Sequence, residues 1–177
     1  MKALVVIDML EDFVTGQIAN ARSKRVIPHV QDLLEVARGN PDWIVVYAND
    51  AHLPRDSELG VWGEHAMVGT AGARVISELP PAASDFVVPK RTYSAFYDTG
   101  LDSLLRQFGV DTVVLTGQHT NMCVCHTAAD AFFRGYRIVV PRDAVEAFTD
   151  EDQASGLDYL RTMYHAELSE VHEVLAG

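Results

Sequence analysis

Leu115-Thr116-Gly117-Gln118-His119-Thr120-Asn121-Met122-Cys123 starts as one kind of structure and finishes as another. Its first residues continue the apolar, β-branched run Thr112–Thr116, which reads as a buried strand. Its last residues open an alanine-rich stretch, Asn121–Arg134, that Gly135 ends in the manner of a helix stop. A strand running into a helix within a few residues is the basic unit of an α/β sheet, and here it places Cys123 in the first turn of a helix. Free backbone N–H groups and the helix dipole at such a position favour a thiolate and can hold an oxyanion during acyl transfer. A buried cysteine that merely fills space is the competing reading, and it suits Cys125, two residues deeper in the helix.

Outward from this stretch the same alternation recurs. Ala3–Ile7, Trp43–Ala48, Phe86–Val88 and Arg137–Pro141 are further apolar runs without period-two polarity, as buried parallel strands require. A last short strand is placed near Glu167–Val171, a stretch that also suits a helix. Between the strands, Val26–Gly39 carries Val30, Leu33, Leu34 and Ala37 on one helical face and stops at Gly39-Asn40-Pro41. Leu101–Phe108 and Asp150–Tyr164 supply two more helices, with Thr149 or Asp150 as N-cap of the second. The fold class is therefore α/β: one domain over residues 1–177, a doubly wound parallel sheet with helices on both faces.

Composition narrows the function. With 177 residues, 48% hydrophobic and 22% charged, the chain suits a single core, and no apolar run nears the length of a bilayer span. The formal net charge of −11, without a Lys/Arg cluster, argues against nucleic acid or an anionic membrane as partner. Only Cys123 and Cys125 occur, too close in sequence to pair, so a disulfide-stapled secreted fold is excluded and a cytoplasmic location is expected. Cys-x-Cys is also not the Cys-x-x-Cys spacing of thioredoxin-like redox chemistry.

In an open parallel sheet, ligands bind beyond the carboxyl ends of the strands. Asp8, Asp50, Lys90 and the segment Gly117–Cys123 all follow strands and should converge there. Asp8 ends a nearly all-apolar strand, where a carboxylate needs a partner. Lys90 follows Val87-Val88-Pro89, and a lysine near a thiol stabilises its thiolate. The stretch Asp50–Leu79 is long, aperiodic and rich in Gly, His, Pro and acidic residues, which marks a functional loop.

Three separated motifs together resemble the isochorismatase-like cysteine hydrolase superfamily: Val6-Ile7-Asp8-Met9 with Asp12-Phe13, Lys90 with Ser94-Ala95-Phe96, and Thr116-Gly117 running to Cys123. Thr120-Asn121-Met122-Cys123 followed by His126-Thr127-Ala128-Ala129-Asp130-Ala131 looks most like nicotinamidases. The resemblance implies a six-stranded sheet and a catalytic Asp8-Lys90-Cys123 triad acting through a thioester. It implies a non-proline cis peptide at Gln118–His119, aiming the backbone N–H groups of His119 and Cys123 at the oxyanion. His119 departs from the small or apolar residue common in relatives.

Asp50-Ala51-His52 sets two side chains on one side of an extended segment, as shared metal ligation requires, though a solvated polar loop gives the same spacing. Nicotinamidases carry this spacing together with a Trp-x-x-His pattern, which Trp62-Gly63-Glu64-His65 reproduces. The resemblance therefore implies Asp50, His52 and His65 as ligands of zinc, or of manganese or iron, with Glu64 as an extra or substitute ligand. Phe13, Trp62, Tyr93 and Phe96 suit either the core or a pocket around a flat ring, and are assigned to the pocket. The expected function is hydrolysis of nicotinamide to nicotinate and ammonia by a homo-oligomer. An N-carbamoyl compound or ureidoacrylate on the same machinery is the alternative substrate, and a non-catalytic binding module the alternative class.

Overall fold

The computed structural model describes residues 1–176. Strand β1 (Lys2–Ile7) occupies the middle of a wholly parallel sheet, with β2 (Trp43–Asp50) on one side and β4 (Thr112–Gln118) on the other. The order continues outward to β3 (Phe86–Lys90) beyond β2, and to β5 (Arg137–Pro141) and then β7 (Glu167–Ser169) beyond β4. A two-residue strand, β6 (Val145–Glu146), pairs with the last residues of β4 and makes the sheet seven-stranded rather than six. It is too short to leave a periodic signature in the sequence.

The strands are uniformly apolar because both faces are covered. Ala3, Val5 and Ile7 of β1 join one core with residues of α4 (Leu101–Gln107), α5 (Cys125–Phe133) and α6 (Asp150–Tyr164). Leu4 and Val6 join a second core on the opposite face, with α2 (Ile27–Gly39) and α7 (Val171–Ala176). The stretch around Glu167–Val171 thus resolves into strand and then helix. Thr149 caps α6, its hydroxyl accepting from the Asp152 N–H at 3.0 Å. Between β2 and β3 the long segment holds one short helix among the described residues, α3 (Leu59–Trp62), and α1 (Glu11–Val14) follows β1. No helix among the described residues is long and apolar enough to cross a membrane.

Gly117 explains how the deciding stretch turns. Its φ is +98°, and a Cβ there would strike the carbonyl of Ile7 on β1. Only glycine lets β4 lie this close to β1 while its backbone swings toward the helix. The next peptide, Gln118–His119, is cis. One turn of wide π-type helix, Thr120–Val124, then leads into α5, so the helix expected from Asn121 has a distorted beginning.

Candidate active site

Parallel register carries the first acid, the lysine and the thiol to one end of the sheet. Ile7 pairs with both Ala48 and Gly117, and Asp50 pairs with Lys90, so Asp8, Asp50, Lys90 and the start of the nucleophile segment emerge at the same edge. The Lys90 ammonium lies 2.8 Å from Asp8 Oδ2, 2.6 Å from Asp50 Oδ1 and 3.7 Å from Cys123 Sγ. The three expected triad residues therefore meet, and Asp50 adjoins them. Asp8 has a positive φ of 52°, unusual for a residue with a side chain, and its Oδ1 accepts the Asp50 N–H at 2.8 Å. Gln118 fixes the same corner by donating to the Asp8 carbonyl at 3.1 Å. Thr120 of the nucleophile turn donates to Gln153 of α6 at 2.6 Å.

Electrostatics assign the protons. Burial and the neighbouring Asp50 raise the Asp8 carboxyl to about 6, against the pull of Lys90. Burial opposes the Lys90 ammonium, yet Asp50, Asp8 and Cys123 hold its pKa well above the ordinary value. Burial, reinforced by Asp8 and Asp50, pushes the Cys123 thiol well up despite Lys90. These surroundings oppose the thiolate that a helix start favours. Desolvation and two carboxylates act against the helix end, and the sulfur lies beside a carboxylate that can take its proton.

A second cluster adjoins the first. Asp50, His52, Glu58 and His65 are all buried, and one ligand atom from each lies within 4.8 Å of the others. His52 Nδ1 faces the Asp56 carboxylate at 3.3 Å, and His65 Nδ1 faces the Gly63 carbonyl at 2.8 Å. Both partners only accept, so each Nδ1 carries the hydrogen, and in the neutral ring each Nε2 keeps its lone pair for a cation. His52 Nε2 and Glu58 Oε1 are buried without a hydrogen-bond partner among the described residues. Unpaired buried acceptors beside a buried carboxylate are costly unless a cation joins them. The donor set of two imidazoles and two carboxylates fits zinc or a similar divalent ion.

Glu58 was not anticipated; burial and Asp50 raise its carboxyl to about 7. Glu64, expected as the extra ligand, is instead exposed and outside the cluster. The loop faces Glu58 inward from its short helical approach, whereas Glu64 sits beside Gly63, whose positive φ of 79° turns the backbone between the two candidates.

Both clusters border one narrow cavity of about 20 Å³. Phe13, Trp62 and Tyr93 line it as expected, together with Cys123, Glu58 and His65. Phe96 does not; it is packed in the core 5.8 Å from Tyr136, because the chain turns inward after Ser94. Its place is filled by residues not foreseen as lining, Phe148 and the side chain of His119. These two rings stack at 4.0 Å and 20°, and Trp62 lies nearly parallel beyond Phe148 at 6.2 Å. Burial lowers the His119 imidazole to about 4, so the ring is neutral near pH 7, and its Nε2 lacks a partner among the described residues.

Comparison with known proteins matches residues 2–173 to the isochorismatase domain. The N-carbamoylsarcosine amidase of Thermoplasma acidophilum is 42% identical, covers 96% of each chain and superposes with a TM-score of 0.90. The nicotinamidase of Bacillus subtilis is 30% identical over 96% of this chain and 99% of its own, with a TM-score of 0.87. A pyrazinamidase of Pyrococcus horikoshii, solved in complex with zinc, is 27% identical over 96% and 98%, with a TM-score of 0.87. A matched domain across nearly the whole chain, on the parallel sheet and site described above, makes this protein a member of the isochorismatase family of hydrolases.

Proposed function

We propose that the protein hydrolyses the carboxamide of a small flat ring, nicotinamide foremost, releasing nicotinate and ammonia with a divalent metal bound. The observation that carries this reading is the shared cavity: Cys123 and three of the four metal-type donors, Asp50, Glu58 and His65, line the same space. The parallel rings of Trp62, Phe148 and His119 suit a planar substrate.

In this mechanism Asp8 takes the proton of Cys123 as the sulfur attacks the amide carbonyl, and Lys90 balances the negative charge passing between carboxylate and sulfur. The backbone N–H groups of His119 and Cys123 hold the oxyanion. Asp8 returns the proton to the departing ammonia, leaving a thioester that water hydrolyses. A divalent ion held by Asp50, His52, Glu58 and His65 would supply Lewis acidity toward the ring nitrogen of the substrate.

An N-carbamoyl substrate is favoured by the 42% identity to the N-carbamoylsarcosine amidase. That substrate carries a carboxylate. The residues lining this cavity include Asp50 and Glu58 and, among the described residues, no arginine or lysine. In the metal-free site an anion meets repulsion and loses its water without gaining a counter-charge. Ammonia release from nicotinamide, pyrazinamide, N-carbamoylsarcosine and ureidoacrylate, with Cys123→Ala as control, tests the choice. Nicotinamide should be turned over fastest, and only by metal-loaded protein. Turnover of the carbamoyl compounds by metal-free protein, with nicotinamide inert, would overturn the reading.

A further inference from the structure

His52 is fully buried, and its imidazole can serve a metal only if the ring is held with Nε2 toward Asp50 and Glu58. What holds it lies outside the donor set. Asp56 Oδ2 accepts from His52 Nδ1 at 3.3 Å and from the Leu53 backbone N–H at 2.9 Å. Arg91 then closes on Asp56 with its guanidinium, Nε standing 3.1 Å from both carboxylate oxygens and a terminal nitrogen making a further short contact with Oδ1. This ion pair leaves the carboxylate oxygens of Asp56 as acceptors for His52 and Leu53.

The placement of Arg91 gives the arrangement its meaning. It follows Lys90 at the end of β3, so the strand that delivers the ammonium to Asp8 and Cys123 also delivers the guanidinium to Asp56. Arg91 reaches solvent, its side chain 54% exposed, while Asp56 is only 4% exposed. A relay therefore runs from a surface guanidinium through a buried carboxylate to a buried imidazole.

We propose that Asp56 and Arg91 are positioning residues for the metal site: Asp56 fixes the tautomer and orientation of His52, and Arg91 fixes Asp56. The inference rests on the metal-dependent reading above and assigns a role that neither residue shares with the donors. Two opposing effects meet at Arg91. Removing its charge leaves Asp56 free to add attraction for a cation, but the guanidinium faces solvent, where that change is screened. Loss of ring orientation acts at the bond itself, and partners of this kind are worth about 10–100-fold in metal affinity. Orientation therefore dominates.

The test measures zinc affinity by chelator competition on wild type, Asp56→Ala and Arg91→Met, and reads the His52 tautomer of the zinc-free proteins from imidazole nitrogen shifts in alkaline buffer. Asp56→Ala is expected to bind zinc about 10–100-fold more weakly. Arg91→Met should lose less, because the Leu53 N–H still holds Asp56. The Nδ1–H tautomer, dominant in wild type, should give way to a mixture in Asp56→Ala, a change that a merely structural role would not produce. Should Asp56→Ala fail to fold, the surface variant Arg91→Met carries the same two readouts. A folded variant with wild-type zinc affinity and an unchanged tautomer overturns the relay. A wild-type protein that binds no zinc, manganese or iron overturns the metal reading itself, and the relay with it.

Discussion

Asp50 joins the triad to the metal-type cluster through Lys90, yet the two are built in opposite ways. Asp8 and Lys90 hang from strand ends and Cys123 from the turn after β4, and the register of four neighbouring parallel strands sets their spacing. His52, Glu58 and His65 belong to one long segment whose path depends on side chains. Asp12 accepts the Ala66 N–H, Arg91 ties Asp56, and His52 and Met67 pair as an isolated bridge. One region inherits its geometry from the sheet, and the other is assembled contact by contact. The nucleophile should therefore tolerate changes in the loop, whereas the metal site should respond to residues that touch no donor.

The sharpest break comes from the nucleophile. Cys123→Ala should lower amide turnover by at least about 10⁴-fold, as removal of a nucleophile commonly does. Zinc affinity, measured by chelator competition, should stay within a few-fold of wild type. Coupled loss of both would mean that the two regions form a single unit.

Lys90→Met breaks the join between them. Lys90 is the cation between the buried Asp8 and Asp50. Leaving two buried carboxylates without it costs about 3–5 kcal/mol, more than the hydrophobic replacement returns. For a chain of this size the melting temperature should fall by roughly 6–20 °C, read by calorimetry on metal-free protein. An unchanged melting temperature would show that the carboxylates shed their charge instead.

This contrast also explains what could be read from the sequence. Strand-end residues are legible because an apolar run that ends in Asp8, or a Pro89-Lys90 pair closing one, announces its own position. The order of the motifs then gave the sheet. Glu58 was illegible, because nothing in Arg55-Asp56-Ser57-Glu58 says which acid the loop turns inward, and proximity to His65 pointed to Glu64 instead. Phe96 was misplaced for the same reason: nearness to Lys90 in the chain is not nearness to the cavity once the backbone dives into the core. Phe148 arrives by way of β6, a strand of two residues. The helix start at Cys123 was legible as backbone, but the opposing charges of Asp8 and Asp50 on its sulfur were not, because they are a property of three strands together.

Metal removal separates the regions without mutation. Binding at about a hundred times the dissociation constant stabilises a folded chain by about 2.7 kcal/mol. Adding zinc to stripped protein should therefore raise the melting temperature by roughly 5–10 °C in wild type. It should have little effect in His52→Ala. The rate at which iodoacetamide alkylates Cys123 should differ little between stripped wild type and stripped His52→Ala. A large difference would mean that the loop, and not the register alone, shapes the nucleophile.

Asp12→Ala is the smallest and most discriminating change. Asp12 belongs to neither cluster. Its Oδ2 accepts the Ala66 N–H at 2.8 Å and its Oδ1 accepts the Gln17 N–H at 3.3 Å, while its own N–H donates to the Gly72 carbonyl at 3.1 Å. The first of these bonds holds the residue directly after His65. Truncation leaves the buried Ala66 N–H without its acceptor, a loss of about 1.5–3 kcal/mol for a hydrogen bond to a charged group. The backbone bond to Gly72 survives, so the loop loosens without detaching. Zinc affinity should fall several-fold through His65, while alkylation of Cys123 and the register-held contacts of Lys90 stay as they were. Equal losses at both sites would show that the loop supports the triad as well, and the division between register-built and contact-built regions would fail at its most sensitive point.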